Sequence, residues 1–136
     1  MYKKILVPMA LDHGISEQTL AIAKSLASSD GEITALHVYE IPQGAVNAYL
    51  GEELIAQGLA RAKQVLAEKT SNVDGIKTDI KRGHAYRSII EYANANDFDC
   101  IVIGSHKPGL STYLIGSTAA RVVRHAPCAV HVHRNR

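Results

Sequence analysis

In this 136-residue chain the densest chemistry lies between Gly104 and Gly116, in the run GSHKPGLSTYLIG, with Ser117 and Thr118 directly after it. Two glycines there bracket eleven residues that join an apolar strand, CIVIG, to a helix. About two to six residues normally make such a connection, and excess loop at this place suggests a function. Gly104 would let backbone approach a ligand closely, while Gly116, Ser117 and Thr118 lead into a helix. Free N–H groups and the helix dipole at such a terminus favour an anion such as phosphate. Lys107 adds a mobile positive charge, and the two hydroxyls add donors. The run is no Walker A loop: Gly104 and Gly109 have the glycine spacing, but Leu110 stands where the lysine belongs, and no GxGxxG occurs. On the residues alone two readings stand side by side. One is a phosphate-binding turn; the other is a glycine-bounded loop in which Ser117 is an ordinary helix cap.

Other reactive side chains are weaker candidates. His106 neighbours Ser105 and Ser111, the ingredients of a nucleophile and base. There is no GxSxG elbow and no identifiable orienting acid, so no residue is assigned a catalytic role. His106 reads instead as a phosphate contact or a solvated side chain. His37 lies in a strand-like run and is expected to be a satisfied core imidazole. His131 and His133 alternate with Val130 and Val132 and share one strand face. No carboxylate or cysteine joins them at ligand spacing, so a wet face is favoured over a metal site. Cys100 and Cys128 begin two strands expected to be adjacent, and each should pack as a small hydrophobe rather than bridge.

Elements that place these residues follow from composition and pattern. Hydrophobic residues make up 46% of the chain, yet there is one Phe, no Trp and six Tyr, so the core must be aliphatic. That fits parallel strands covered by helices on both faces. The formal charge of +2 and pI near 8.6 are too mild for a dedicated nucleic-acid binder. The early apolar run from Ile5 to Leu11 is interrupted by Pro8 and too short to span a membrane, so a cytoplasmic protein is expected. The two cysteines fit a reducing compartment.

Lys3 to Met9 reads as a buried strand, followed by a helix with Ser16 near its start and apolar residues from Ile15 to Ala27. Ser28 to Gly31 should end that helix, and EITALHVYEI should form the second strand. Pro42 to Gly51 reads as a loop, and the following helix, reaching Lys69, contains a disfavoured Gly58. IKTDIK alternates like a strand with one wet face, at or near a sheet edge. Ala85, Ile89, Ile90 and Ala93 mark a third helix, and Cys100 to Gly104 a fully buried strand. A fourth helix should carry Val122 and Val123 inward and stop at Pro127, before a last strand from Cys128 to His133. The whole chain, 1–136, is therefore one α/β domain, a doubly wound, mostly parallel five-stranded sheet with helices on both faces. Ligands of such sheets sit beyond the strands' carboxyl ends where strand order reverses. The first and fourth strands should be neighbours there, which points to the exits Pro8 to Asp12 and Gly104 to Gly109.

The segment IVIGSHKPGLSTYLIGSTAARVVRHAPCAVHV, together with KKILVPM and ITALHV, resembles the universal stress protein (UspA) family over essentially the whole chain. It is most similar to the F/G-type members, which carry a basic residue and a proline after the Ser-His pair, as Lys107 and Pro108 stand here. The resemblance implies a Rossmann-like, adenine nucleotide alpha hydrolase-like sheet and a site for ATP or AMP, with Mg2+ possible beside ATP. The family's ATP-binding pattern is Gly-x2-Gly-x9-Gly-Ser/Thr. Here Gly104 matches its first glycine, Lys107 takes the place of the second, and Gly116 with Ser117 matches the final pair after a spacer one residue short. By the same resemblance Pro8, Met9 and Ala10 line an adenosine pocket, Val38 meets the base, and Ile103 and Gly104 lie near the ribose. His106, Lys107, Gly116, Ser117 and Thr118 face the phosphates. Ala10 stands where the family usually has aspartate, and Asp12 is the nearest carboxylate. The family also implies a homodimer through the last strand, Cys128 to His133, in which the histidines of two chains could cluster. The expected function is a nucleotide-dependent stress-response or signalling module with slow or absent hydrolysis and an unknown protein partner. No nucleic-acid or membrane partner is expected. The alternatives are a nucleotide-free, partner-binding dimer, for which Ala10 and Lys107 speak, and a slow nucleotide hydrolase.

Overall fold

The structure, a computed structural model, describes residues 1–11, 16–41, 48–105 and 115–134. Strand and helix alternate strictly: β1 (Tyr2–Pro8), α1 (Ser16–Leu26), β2 (Ala27–Tyr39), α2 (Ala48–Thr70), β3 (Ile76–Arg82), α3 (Ala85–Ala95), β4 (Cys100–Gly104), α4 (Ser117–His125) and β5 (Ala129–His133). All strand pairings are parallel, in the order β3-β2-β1-β4-β5. This is the α/β sheet expected, with β1 at its centre and β3 and β5 at its edges.

Period-two strand faces divide the core in two. Ile5, Val7, Ile33, Ala35, Cys100 and Val102 meet Leu20 and Ala23 of α1 and Leu66 of α2 on one face. Leu6, Leu36, Ile101 and Ile103 meet Ile89 and Ala93 of α3 and Ala119 and Val122 of α4 on the other. Phe98 is the one phenylalanine and joins the second cluster, so aliphatic side chains do the rest of the filling. β1 from Ile5 to Val7 and β4 from Cys100 to Ile103 are buried on both faces and read as continuous apolar runs for that reason. β3 has no buried residue, only half-buried and exposed ones, as suits an edge.

The lower end of the sheet is locked by one carboxylate. Asp99 accepts the backbone N–H groups of Lys3 and Lys4, each at 2.9 Å, and its own N–H donates to the Lys4 carbonyl at 3.0 Å. A charge-assisted pair of this kind fixes the register of β1 against β4 at its start.

Three local expectations change. Residues 28–31 do not form a turn: Tyr2 pairs with Ala27, and the Ser28 hydroxyl donates to the Tyr2 carbonyl at 2.9 Å, so β2 starts at Ala27. The ladder is irregular between Tyr2 and Lys4, which is how these polar residues are accommodated. α2 begins at Ala48 rather than after Gly51, since no strong breaker follows Gly44 and a buried Gly51 sits inside the helix. Val123 is 49% exposed while Val122 is 0% exposed. Neighbours on a helix are about 100° apart, so both cannot face the same core. The thiols of Cys100 and Cys128 are free, as expected, and they belong to opposite layers: Cys100 to the α1–α2 core, Cys128 to the α3–α4 core.

Candidate functional site

At the carboxyl end of the sheet the central ladder opens. β1 and β4 pair only at Ile5 with Cys100 and Leu6 with Ile101. On either side pairing continues further, to Pro8 with Leu36 and to Gly104 with His133. β1 and β4 thus part beyond Leu6 and Ile101 at the point where strand order reverses. Pro8, which has no N–H to donate, stands on one lip, and Ile103 and Gly104 on the other. A crevice at this position is the usual ligand site of a doubly wound sheet.

Each lip is held by backbone bonds. On the β1 side the Met9 N–H donates to the Leu36 carbonyl at 2.8 Å, and the Met9 carbonyl is 2.8 Å from Nδ1 of His37, which must carry the proton to donate. The Met9 side chain is 5% exposed and belongs to the α1–α2 core. Met9 is therefore a wall of the crevice whose polar groups are already engaged, and His37 is the satisfied imidazole expected, half-buried rather than deep. Pro8 is half-buried and Ala10 exposed. Val38, half-buried, and Ile103, buried, pack with the α3–α4 core.

On the β4 side the chain leaves at Ser105, 1% exposed, whose N–H donates to the His133 carbonyl at 2.8 Å and whose carbonyl accepts the Gly116 N–H. One buried serine thereby ties the end of β5 to the start of α4. Sequence reasoning passed over Ser105 except as a nucleophile; the available signal was a small polar residue closing a run of four buried apolar residues and a glycine. Gly116 is the N-cap of α4, extended at φ −61° and ψ 153°, and Ser117 is the first helical residue. Ser117 is thus not the cap. Gly116 has no side chain to fold back, and the first helical bond runs from the Ala120 N–H to the Gly116 carbonyl at 2.9 Å. The N–H groups of Ser117, Thr118 and Ala119 precede it and have no intrahelical acceptor. Ser117 is exposed and Thr118 half-buried, so two hydroxyls stand beside those donors.

The structure brings Pro8, Met9, Ala10, Val38, Ile103, Gly104, Gly116, Ser117 and Thr118 to the carboxyl end of the sheet. His106 and Lys107 lie outside the described residues, as do Asp12, Ser111 and the side chain of Ser16. His131 is exposed, and His133 places Nε2 3.3 Å from Oε1 of Gln18. Among the described residues no group of three or more His, Cys, Asp or Glu is placed to hold a metal ion, and no helix is long and apolar enough to cross a membrane. Chemically, the crevice offers apolar walls, a backbone that can be approached at Gly104, and a helix N-terminus whose cap, Gly116, has no side chain to satisfy its N–H groups. That combination suits a flat apolar group carrying an anion.

Comparison with known proteins gives one answer. The profile of the Universal stress protein family matches residues 1–134. Universal stress protein G of Salmonella typhimurium is 31% identical over 144 residues, covering 98% of this chain and all of the relative. The solved universal stress protein UspA from Lactobacillus plantarum is 29% identical with a TM-score of 0.82, covering 98% of each chain. Two more distant structures share the fold: a universal stress protein in complex with cAMP, 16% identical with a TM-score of 0.71, and one from Archaeoglobus fulgidus in complex with dAMP, 20% identical with a TM-score of 0.56. Each covers more than nine-tenths of this chain.

Proposed function

Since this chain belongs to the universal stress protein family, we propose that it binds an adenine nucleotide, ATP or AMP, in the crevice between β1 and β4. It would act as a dimeric, nucleotide-dependent stress-response or signalling module. The observation that carries the proposal is the parting of β1 and β4 beyond Leu6 and Ile101, beside a helix N-terminus capped by a glycine. The relatives solved with cAMP and dAMP support an adenine nucleotide as the ligand class. In this reading Pro8, Met9, Ala10, Val38, Ile103 and Gly104 shape the adenosine pocket. The N–H groups and hydroxyls of Ser117 and Thr118, with Gly116, Lys107 and His106, hold the phosphates. When bound, the nucleotide supplies an anion that completes the α4 terminus, and Mg2+ would accompany the triphosphate. In this reading hydrolysis is slow or absent.

Dimerisation through β5 belongs to the same proposal. Both sheet edges are strands, but they differ in how they meet another strand. β3 presents Lys77, Lys81 and Arg82, with ion pairs from Lys77 to Glu32 and Arg82 to Glu52, and charges of this kind discourage edge pairing. β5, AVHVH, carries no permanent charge. A two-fold pairing of β5 with its counterpart would place His131 of each chain near the axis.

A second reading, a nucleotide-free dimer that binds a protein partner, is favoured by exposed Ala10, which puts a methyl group where the family usually has a carboxylate. Mass spectrometry of small molecules released from freshly purified protein separates the two. ATP or AMP in near-stoichiometric amount is expected. Empty protein that also fails to retain either nucleotide in native mass spectra would select the second reading.

A further inference from the structure

Away from the crevice, one half-buried tyrosine is surrounded by cations. Tyr86 lies in the first turn of α3, its ring anchored against the α3–α4 core. Arg87 Nε donates to its hydroxyl at 3.3 Å, and the Arg87 and Arg121 guanidinium carbons lie 5.8 and 5.1 Å from the ring centroid. The His84 ring meets it edge-on at 4.9 Å, and the His125 ring stacks at 6.2 Å. His84, Arg87, Arg121 and His125 are all exposed, as is Arg124 on the last turn of α4. The local field already selects negative charge. The Arg87 hydrogen bond, helped by the charges of Arg87 and Arg121, holds the phenol below its ordinary value despite the opposing effect of desolvation. The acids nearby are Glu91, which acts on Arg87, and Glu40, whose carboxylate accepts the Ala85 N–H at 2.9 Å.

We propose that the α3–α4 face centred on Tyr86 is a docking surface for an acidic segment of a partner protein, with Arg87 and Arg121 receiving its carboxylates. Tyrosine and arginine are the residue types that dominate interface energetics, and here cation–π contacts and a hydrogen bond fix their geometry before binding. An exposed site gives a single small anion little, because each screened pair is worth about 1 kcal/mol or less. A segment with several carboxylates instead engages both arginines at once. The ring that would stack a nucleobase is covered by Arg121 and His125, so a polypeptide fits better than a nucleic acid.

The test uses the full chain and a fluorescent poly-glutamate peptide, read by anisotropy at low and near-physiological salt. Wild-type protein should bind, more weakly in salt, and Arg87→Glu and Arg121→Glu should each weaken binding about tenfold or more. Arg121→Gln should lie between, and Lys63→Glu, on exposed α2 across the sheet, should change little, with circular dichroism unaltered in all four. Absence of binding by wild type, or equal losses in Lys63→Glu, would overturn the proposal. So would displacement of the peptide by millimolar inorganic phosphate, or a single-stranded oligonucleotide of equal charge that binds more tightly and is lost in the same variants.

Discussion

Asp99 and Cys100 are adjacent in the chain and act in different ways at the start of β4. The Asp99 carboxylate accepts two backbone N–H groups of β1. Hydrogen bonds to a charged group are worth about 1.5–3 kcal/mol each, and their loss would leave a part-buried donor unpaired. Asp99→Ala should therefore lower stability by about 2–3 kcal/mol in urea unfolding, with an unchanged m-value. Cys100 is apolar in its function, and burial pushes its thiol up to about 11, with Cys128 and Asp99 adding to the shift. The folded pKa lies above the unfolded one, near 9, so the folded state holds the proton more tightly. Its contribution is complete below about pH 9 and is lost as the pH rises toward 11. Unfolding free energy should thus fall across that window by up to about 2 kcal/mol, and Cys100→Val should flatten the fall. A pH-independent stability from 9 to 11 would contradict the assignment.

At the scale of elements, the sequence pattern placed every strand and helix in order, because each strand's apolar run and each helix's stripe is bounded by a real change of environment. Its errors fell where a boundary depends on partners instead. Ser28 to Gly31 look like a turn until Tyr2 supplies the pairing, and Gly58 looks like a flaw in α2 until Tyr39 is placed. A Cβ built on Gly58 would meet the Tyr39 ring, so glycine there lets α2 lie close to the end of β2. Gly58→Leu should force the ring or the helix aside, cost roughly 1–3 kcal/mol and lower the melting temperature by several degrees. The edges make a second prediction. His131→Glu sets like charges across a two-fold β5 pairing and should convert a dimer to a monomer in multi-angle light scattering, whereas Lys77→Thr on the β3 edge should not. A dimer unaffected by His131→Glu would move the interface elsewhere.

For the whole molecule, five parallel strands between two helical layers leave an opening where β1 and β4 diverge. The segments on its lips were legible from strand alternation alone, since a doubly wound sheet has one reversal point and two exits beside it. Their roles were less legible. Met9 reads as a wall of the pocket, and its backbone is engaged by Leu36 and His37; of the two readings of Ser117, the helix cap gives way, since Gly116 holds that place. Ser105 was missed because its importance lies in its backbone, which links His133 to Gly116, and backbone roles leave little trace in residue type. The central claim is that the α4 terminus at this opening holds the phosphate of an adenine nucleotide. Calorimetric titration of wild type and Ser117→Trp with ATP and AMP tests it most directly. Wild type should give saturable one-to-one heat and the variant none, at unchanged thermal stability; no heat with wild type, or equal affinity in Ser117→Trp, would rule out a phosphate site at α4.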